Sequence, residues 1–249
     1  MTETAFEAIS GSGRQSPLLF LCDHASNALP PGGLGLDPAL LSTHIAYDIG
    51  AAVATRALAR AYGAPAVLGS WSRLLIDLNR GADDPTLVMK LSDGSIIPGN
   101  RDADTAEVAR RIAAFHVPYH AAIEAELDRI GKGAVLFSMH SFTPAWKGSP
   151  RPWEVGVLYD RDVRLAEPLM TRLAEAGFTV GDNEPYTGAL EGDTLWRHGT
   201  MRGLPHVLIE MRQDLVGNDE QAQGFALRLK PILDAALSDM ASSSQAAGQ

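Results

Sequence analysis

The chain has 249 residues, enough to bury one large core. Hydrophobic and charged fractions of 45% and 20% exclude a disordered or fibrous protein, and a net charge of -9 disfavours nucleic acid or an anionic membrane surface as principal partner. The single cysteine, Cys22, allows no intrachain disulfide and no cysteine cluster, so any metal must be held by histidines and carboxylates.

Residues 1–16 contain no apolar stretch of signal-peptide length and are read as an N-terminal extension. No run of about 18 apolar residues follows anywhere, so a cytoplasmic address is expected. Residues 17–240 are read as a single catalytic domain. Within it, apolar runs at 18–21, 67–69, 74–78, 134–137, 155–159 and 206–211 have the length of buried strands. Helical spacing fills 44–62, 104–130, 162–176 and 219–238, and Pro118 is expected to divide the second of these stretches into two helices. Segments 79–103 and 143–152 read as long loops of the kind that line functional sites, and the tail 241–249 is expected to be disordered. Strands alternating with helices predict a single-domain, three-layer α/β fold with a mostly parallel central sheet.

Ligands of such sheets bind beyond the carboxyl ends of the strands. Polar residues gather at four predicted strand ends: Asp23 and His24, then Asp77, Asn79 and Arg80, then His140, and finally Glu210. Two histidines, an Asn-Arg pair and a carboxylate suit a hydrolytic metal site for an anionic substrate. Catalytic zinc takes three protein ligands and leaves a position for water. His24 and His140 supply two, and Asp48, expected to open the helix of 44–62, is the candidate third. His44 competes with it, since a helix beginning earlier would place both on one face. Zinc is the expected ion, although cobalt, nickel, manganese and iron also suit such ligands.

His116, His120 and Glu124 recur every four residues, but a second metal there is not favoured, because histidines at the border of an amphipathic helix are common. Cys22 as a thiol nucleophile is also considered, against the ordinary reading of a cysteine closing a buried strand as core.

The motifs DHAS at 23–26, SRLLIDLNR at 72–80, PYH at 118–120, MHSF at 139–142, LWRHG at 195–199 and IEM at 209–211 resemble, in the same order, those of the N-formylglutamate amidohydrolase family. The resemblance spans about residues 18–235. It implies a carboxypeptidase-like fold, zinc held by His24 and His140 with Asp48, and Glu210 as the catalytic carboxylate. Asp77-Leu78-Asn79-Arg80 is similar to the Asp-x-Asn-Arg sequence with which the related aspartoacylases grip a substrate carboxylate. That makes Arg80 and Asn79 substrate contacts, with Arg73 as an alternative. Arg197 and His198 are candidates for oxyanion or substrate contacts. Family members have Pro-His-Ser-Gly where this chain has Asp23-His24-Ala25-Ser26, so the loop beside the metal differs. The expected activity is hydrolysis of N-formyl-L-glutamate or another small anionic N-acyl amino acid. The alternatives are a zinc peptidase, an aspartoacylase-like deacylase on another substrate, and a non-catalytic amino-acid-binding module.

Overall fold

The structure, a computed structural model, describes residues 4–12 and 16–247. Eleven strands and six α-helices follow one another along it. In chain order they are β1 (Phe6–Ile9), β2 (Leu18–Cys22), α1 (Ala51–Tyr62), β3 (Ala66–Gly69), β4 (Leu91–Ser92), β5 (Ser95–Ile96), α2 (Thr105–Arg111) and α3 (Val117–Ile130). After these come β6 (Val135–Phe142), β7 (Ala145–Trp146), β8 (Ser149–Pro150), β9 (Val155–Leu158), α4 (Ala166–Glu175), β10 (Val180–Asp182), α5 (Thr194–His198), β11 (His206–Arg212) and α6 (Asp219–Ala247). Seven strands form the central sheet in the order β1-β3-β2-β6-β11-β9-β10, while β4-β5 and β7-β8 are separate hairpins. Strands β3, β2, β6 and β11 are mutually parallel, β1 is antiparallel to β3, and β9 is antiparallel to β11.

Side chains alternate across the sheet, and the two faces carry separate cores. Phe20, Cys22, Phe137, Met139 and Ile209 pack with α1, α4 and α6 on one face. Leu19, Leu21, Leu136, Leu158 and Leu208 pack with α3 and the segment around 71–97 on the other. Period two then decides where the polar residues go. Ser138 and His140 follow Leu136 on β6, and Glu210 follows Leu208 on β11, so all three belong to the second face. In register, Glu210 lies directly beside His140.

Helix α1 contains Ala, Arg and Leu, all strong helix formers, and ends where Gly63 takes φ 58° and its N–H caps Ala59 and Arg60. It begins at Ala51, later than the sequence suggests, because Gly50 takes φ 79° and interrupts the turn before it. His44 and Asp48 therefore lie in turns and share no helical face. Residues 104–130 form one continuous helical path. A π turn over Ile112–His116 joins α2 to α3, and Pro118 falls at the start of α3, where a missing N–H is tolerated.

Three further expectations are corrected. The run 74–78 is buried but is not a strand, since its backbone bonds to other partners: Asn100 Nδ2 donates to Leu74 O at 2.8 Å, Arg111 to Leu75 O at 2.8 Å, and Asp77 N to Leu87 O at 2.8 Å. A buried apolar run of that length carries no periodicity to separate strand from packed loop. The N-terminal segment is not wholly outside the domain, because Phe6–Ile9 pairs with β3 as an edge strand. Finally, α6 runs past 238 to Ala247, through an Ala- and Ser-containing stretch without Gly or Pro; the last two residues lie outside the described ones. Among the described residues no helix is long and apolar enough to cross a membrane.

Gly156 on β9 faces the Glu184 carbonyl, and an added methyl would collide with it and lie 3.2 Å from Glu210 Cβ. Gly156→Ala is therefore expected to cost about 1–3 kcal/mol of stability in urea denaturation. Unchanged stability would show that the 183–193 loop yields freely and does not fix the wall beside Glu210.

Candidate metal-dependent active site

The second face ends in a buried group of imidazoles and carboxylates. His140 Nδ1 lies 2.8 Å from Asp48 Oδ2, and His24 Nδ1 lies 3.4 Å from the same oxygen. One ligand atom from each of these three residues lies within 4.8 Å of the others, and all three residues are buried. Strand β2 delivers His24 just past its end, β6 carries His140 within its last turn of pleat, and the turn before α1 brings Asp48 beneath them. The Asp48 N–H donates to His24 O at 3.0 Å, which ties the two segments together.

The outer nitrogen of each ring is also committed. His24 Nε2 donates to Asp77 Oδ1 at 2.7 Å, and His140 Nε2 donates to Asp23 Oδ2 at 3.0 Å. With those hydrogens fixed, each neutral ring presents its Nδ1 lone pair to the common centre. Asp23 is held in turn by Tyr119 OH at 2.9 Å, Thr194 Oγ1 at 2.6 Å and Ser138 Oγ at 3.1 Å. Arg73 donates to Asp77 Oδ2 at 2.7 Å and lies 3.7 Å from Asp48 Oδ1. Burial opposes the charge on Asp23, yet the hydrogen bond and charge of His140 hold its carboxyl well below the usual carboxylate range. Asp77 is held low in the same way by Arg73 and His24, against burial. The same acids push His140 well above, and His24 above, the ordinary imidazole value against burial, so three carboxylates face one guanidinium and two imidazolium rings, and a cation displacing one proton from each ring must bring two positive charges. That balance matches a divalent cation.

Glu210 stands beside this centre, 5% exposed, and its Oε2 has no hydrogen-bond partner. Burial pushes its carboxyl up to about 7, against the favourable charge of His140. An unpartnered buried carboxyl oxygen is costly unless a ligand or water completes it. It faces a cavity of about 490 Å³ whose lining includes His24, Asp48, His140, Arg73, Arg80 and Glu210.

The remaining residues singled out from sequence divide in two. Asn79 and Arg80 line the cavity. Asn79 Oδ1 accepts from Thr194 N at 3.1 Å, which turns its amide nitrogen away from that bond, and Arg80 lies 4.0 Å from Asp84, a loose pairing. His44 also lines the cavity but lies 3.2 Å from Asp93 Oδ2 and takes no part in the metal-like group. Arg197 and His198 are not among the residues lining the cavity. Arg197 is at the surface with Glu124 at 3.2 Å, because its helical phase on α5 points it toward α3. His198 lies buried behind the site, its Nε2 2.9 Å from His120 Nδ1, and His120 Nε2 is 3.1 Å from His116 Nε2. His116 Nε2 donates to the backbone carbonyl of Arg80 at 2.9 Å. This row of three rings supports the Arg80 loop and converges on no common centre, and Glu124 takes no part in it. Cys22 packs into the opposite core, and burial pushes its thiol far up, so the thiol-nucleophile alternative has no geometry.

Sequence reasoning missed the outer shell. Asp23 precedes a ligand histidine and Ser138 lies two residues before another on the same strand face, signals that were legible. Tyr119 and Thr194 lie 96 and 171 residues from Asp23, and no local pattern points to them. Asp77 is the partner of His24 and Arg73 rather than of Arg80.

With the geometry in place, comparison with known proteins points one way. A family model for N-formylglutamate amidohydrolase matches residues 16–216. A structure of a gene product from Agrobacterium tumefaciens is 35% identical, with a TM-score of 0.90, and the match covers 95% of this chain and 96% of that one. The N-formylglutamate amidohydrolase of Ralstonia eutropha JMP134 is 22% identical with a TM-score of 0.70 over 97% and 98% of the two chains, a likeness of fold. Comparison with curated proteins gives no match.

The row of histidines generates a prediction about stability. Burial pushes His120 down to about 2 and His198 to about 3, with the charge of Arg197 adding to the effect on both, and burial lowers His116 as well. Below the unfolded value near 6.5 the unfolded chain takes up protons that the folded chain refuses, so stability falls as pH falls. The expected slope between pH 6 and pH 4 is about 1.4 kcal/mol per pH unit for each histidine that stays neutral. Asp193 and Glu210, which burial pushes up to about 7, act in the opposite sense over the same window, so the contribution is read as the difference in slope between the parent and His120→Gln in urea unfolding of the metal-free protein, and equal slopes would mean that His120 is protonated in the fold.

Proposed function

This chain belongs to the N-formylglutamate amidohydrolase family, hydrolases of amide bonds, and from that premise we propose that it is a metal-dependent enzyme cleaving the linear amide of an N-acyl amino acid such as N-formyl-L-glutamate. One observation carries the reading: two Nδ1 atoms and a carboxylate oxygen converge next to a buried Glu210 whose Oε2 lacks a partner.

The donor set fits a divalent transition ion, with zinc as the first choice. His24 Nδ1, His140 Nδ1 and Asp48 would hold it. When bound, such an ion supplies Lewis acidity toward water and the amide carbonyl. The rest of the chemistry falls to the chain. Glu210, with its carboxyl poised near neutrality, accepts a proton at Oε2 from the attacking water, whose oxygen bonds to the acyl carbon. The same carboxyl returns that proton to the departing nitrogen as the C–N bond breaks, giving a carboxylate and a free amine. Arg80 receives the substrate carboxylate through paired N–H donors, and the Asn79 amide nitrogen adds a neutral donor beside it. Arg73 is engaged by Asp77 and Asp48, and its part is to balance the buried carboxylates. His198 acts at a distance, through His120 and His116, on the position of Arg80.

Purified protein given N-formyl-L-glutamate or N-formyl-L-leucine is expected to release formate, to stop on chelation and to recover with added zinc. No release of formate from zinc-loaded protein on either substrate would retire the reading. Glu210→Gln is expected to lower kcat by about 10²–10⁴ while metal affinity stays within a few-fold. Loss of metal together with turnover would make Glu210 a ligand instead.

The outer carboxylates give a separate test. Asp23→Asn and Asp77→Asn should each weaken metal binding by about 10–100-fold in a competition titration with a chelating dye. Unchanged affinity in both would show that the ring tautomers are set by other groups.

A further inference from the structure

We infer that the preferred substrate of this site is an N-acyl amino acid with one carboxylate and an apolar substituent, rather than an acylated dicarboxylic amino acid. The inference rests on the hydrolase reading above and narrows it to a substrate class. It is carried by the composition of the cavity wall next to Glu210.

Leu208 precedes Glu210 by two residues on β11 and therefore faces the same side of the sheet. Leu158 on β9 is its direct cross-strand partner. Both line the cavity, as do Leu190 from the loop before α5, Phe142 at the end of β6 and Tyr186. One wall beside the unpartnered carboxyl is thus aliphatic and aromatic, with Leu158, Leu208 and Phe142 fixed on the sheet and Leu190 and Tyr186 added from the loop before α5. Apolar surface buried there leaves water favourably.

A second substrate carboxylate would need a cation of its own. Among the described residues that line the cavity, Arg73 is engaged by Asp77 at 2.7 Å, His44 lies 3.2 Å from the Asp93 carboxylate without a hydrogen bond to it, and Arg80, at 4.0 Å from Asp84, is the guanidinium with only a loose ion pair. Arg151 stands near the rim but is bonded to Thr143 Oγ1 at 3.0 Å, with its guanidinium 5.1 Å from the centre of the Tyr186 ring. Asp193 and Glu210 add two carboxyl groups to the same cavity and no cation that could pair with a further anion. A single carboxylate on Arg80 is therefore matched. A glutamate side chain would meet leucines or acids, unpaired and desolvated.

The test is a comparison of kcat/KM for N-formyl-L-leucine, N-formyl-L-phenylalanine and N-formyl-L-glutamate on zinc-loaded full-length protein. The apolar substrates are expected to exceed the glutamate substrate by about tenfold or more. Leu190→Arg, a change in a half-buried loop position, is expected to reduce that ratio by about tenfold with the melting temperature little changed. Equal rates, or a preference for glutamate, would overturn the inference and leave the hydrolase reading intact. Absence of turnover on all three would instead sink the hydrolase reading. In that case calorimetric binding of the same three compounds to the zinc-loaded protein decides the preference, and tighter binding of the glutamate compound, or no binding at all, overturns the inference too.

Discussion

The site depends on a single carboxylate oxygen, Asp48 Oδ2, on which two imidazole nitrogens converge from different strands. Ordering three buried polar groups around one point opposes the hydrophobic effect, and it persists only because every outer atom is also engaged. Asp77 fixes one ring and Asp23 the other, and each of these acids is satisfied in turn by Arg73 or by hydroxyls from Tyr119, Ser138 and Thr194. Removing any member leaves a buried charge or donor without a partner, so the group behaves as a unit.

The sheet makes that unit possible. Strands β2 and β6 are parallel with Leu21 opposite Ser138, which brings His24, just past the end of β2, to the level of His140 inside β6, while β11 sets Glu210 in register beside His140. The pleat sends His140 and Glu210 to the face opposite the α1, α4 and α6 core, while His24 reaches them from the turn after β2. His140, Glu210, Leu208 and Leu158 therefore share one rigid support, which favours a fixed geometry over one assembled by loop closure. The histidine row on α3 and α5 extends the same support outward to the backbone of Arg80.

Much of this was legible from residue order. Five of the six apolar runs are strands, and His24, His140, Glu210, Asn79 and Arg80, which line the cavity, stand at or near predicted strand ends. The failures have definite causes. The run 74–78 is buried at every position, Asp77 included, so no alternation exists to read. Asp48 was placed on a helix because Ala-rich sequence continues the pattern, and the glycine that stops it at position 50 was overlooked. Arg197 was an attractive cation in a suggestive motif, but motif order says nothing about which way a short helix turns its side chains. The hydroxyls around Asp23 come from elements far apart in sequence and become neighbours only through the tertiary fold.

The reversed direction of β9 has a further consequence. Because β9 runs against β11, the chain leaves β6 at Phe142 and re-enters the sheet at Val155 on the same end, beside Arg212 and Met211. Residues 143–154, with the small β7-β8 hairpin, therefore form a detour that never crosses the sheet. Its length and composition are uncoupled from the positions of the strands, and surface detours of this kind accept insertions readily. Arg212 clasps its return leg through the carbonyls of Arg151, Pro152 and Trp153, at 3.2–3.4 Å. The fold thus sets a border whose length is free beside a floor fixed by strand pairing, and the border can change shape without moving His140 or Glu210.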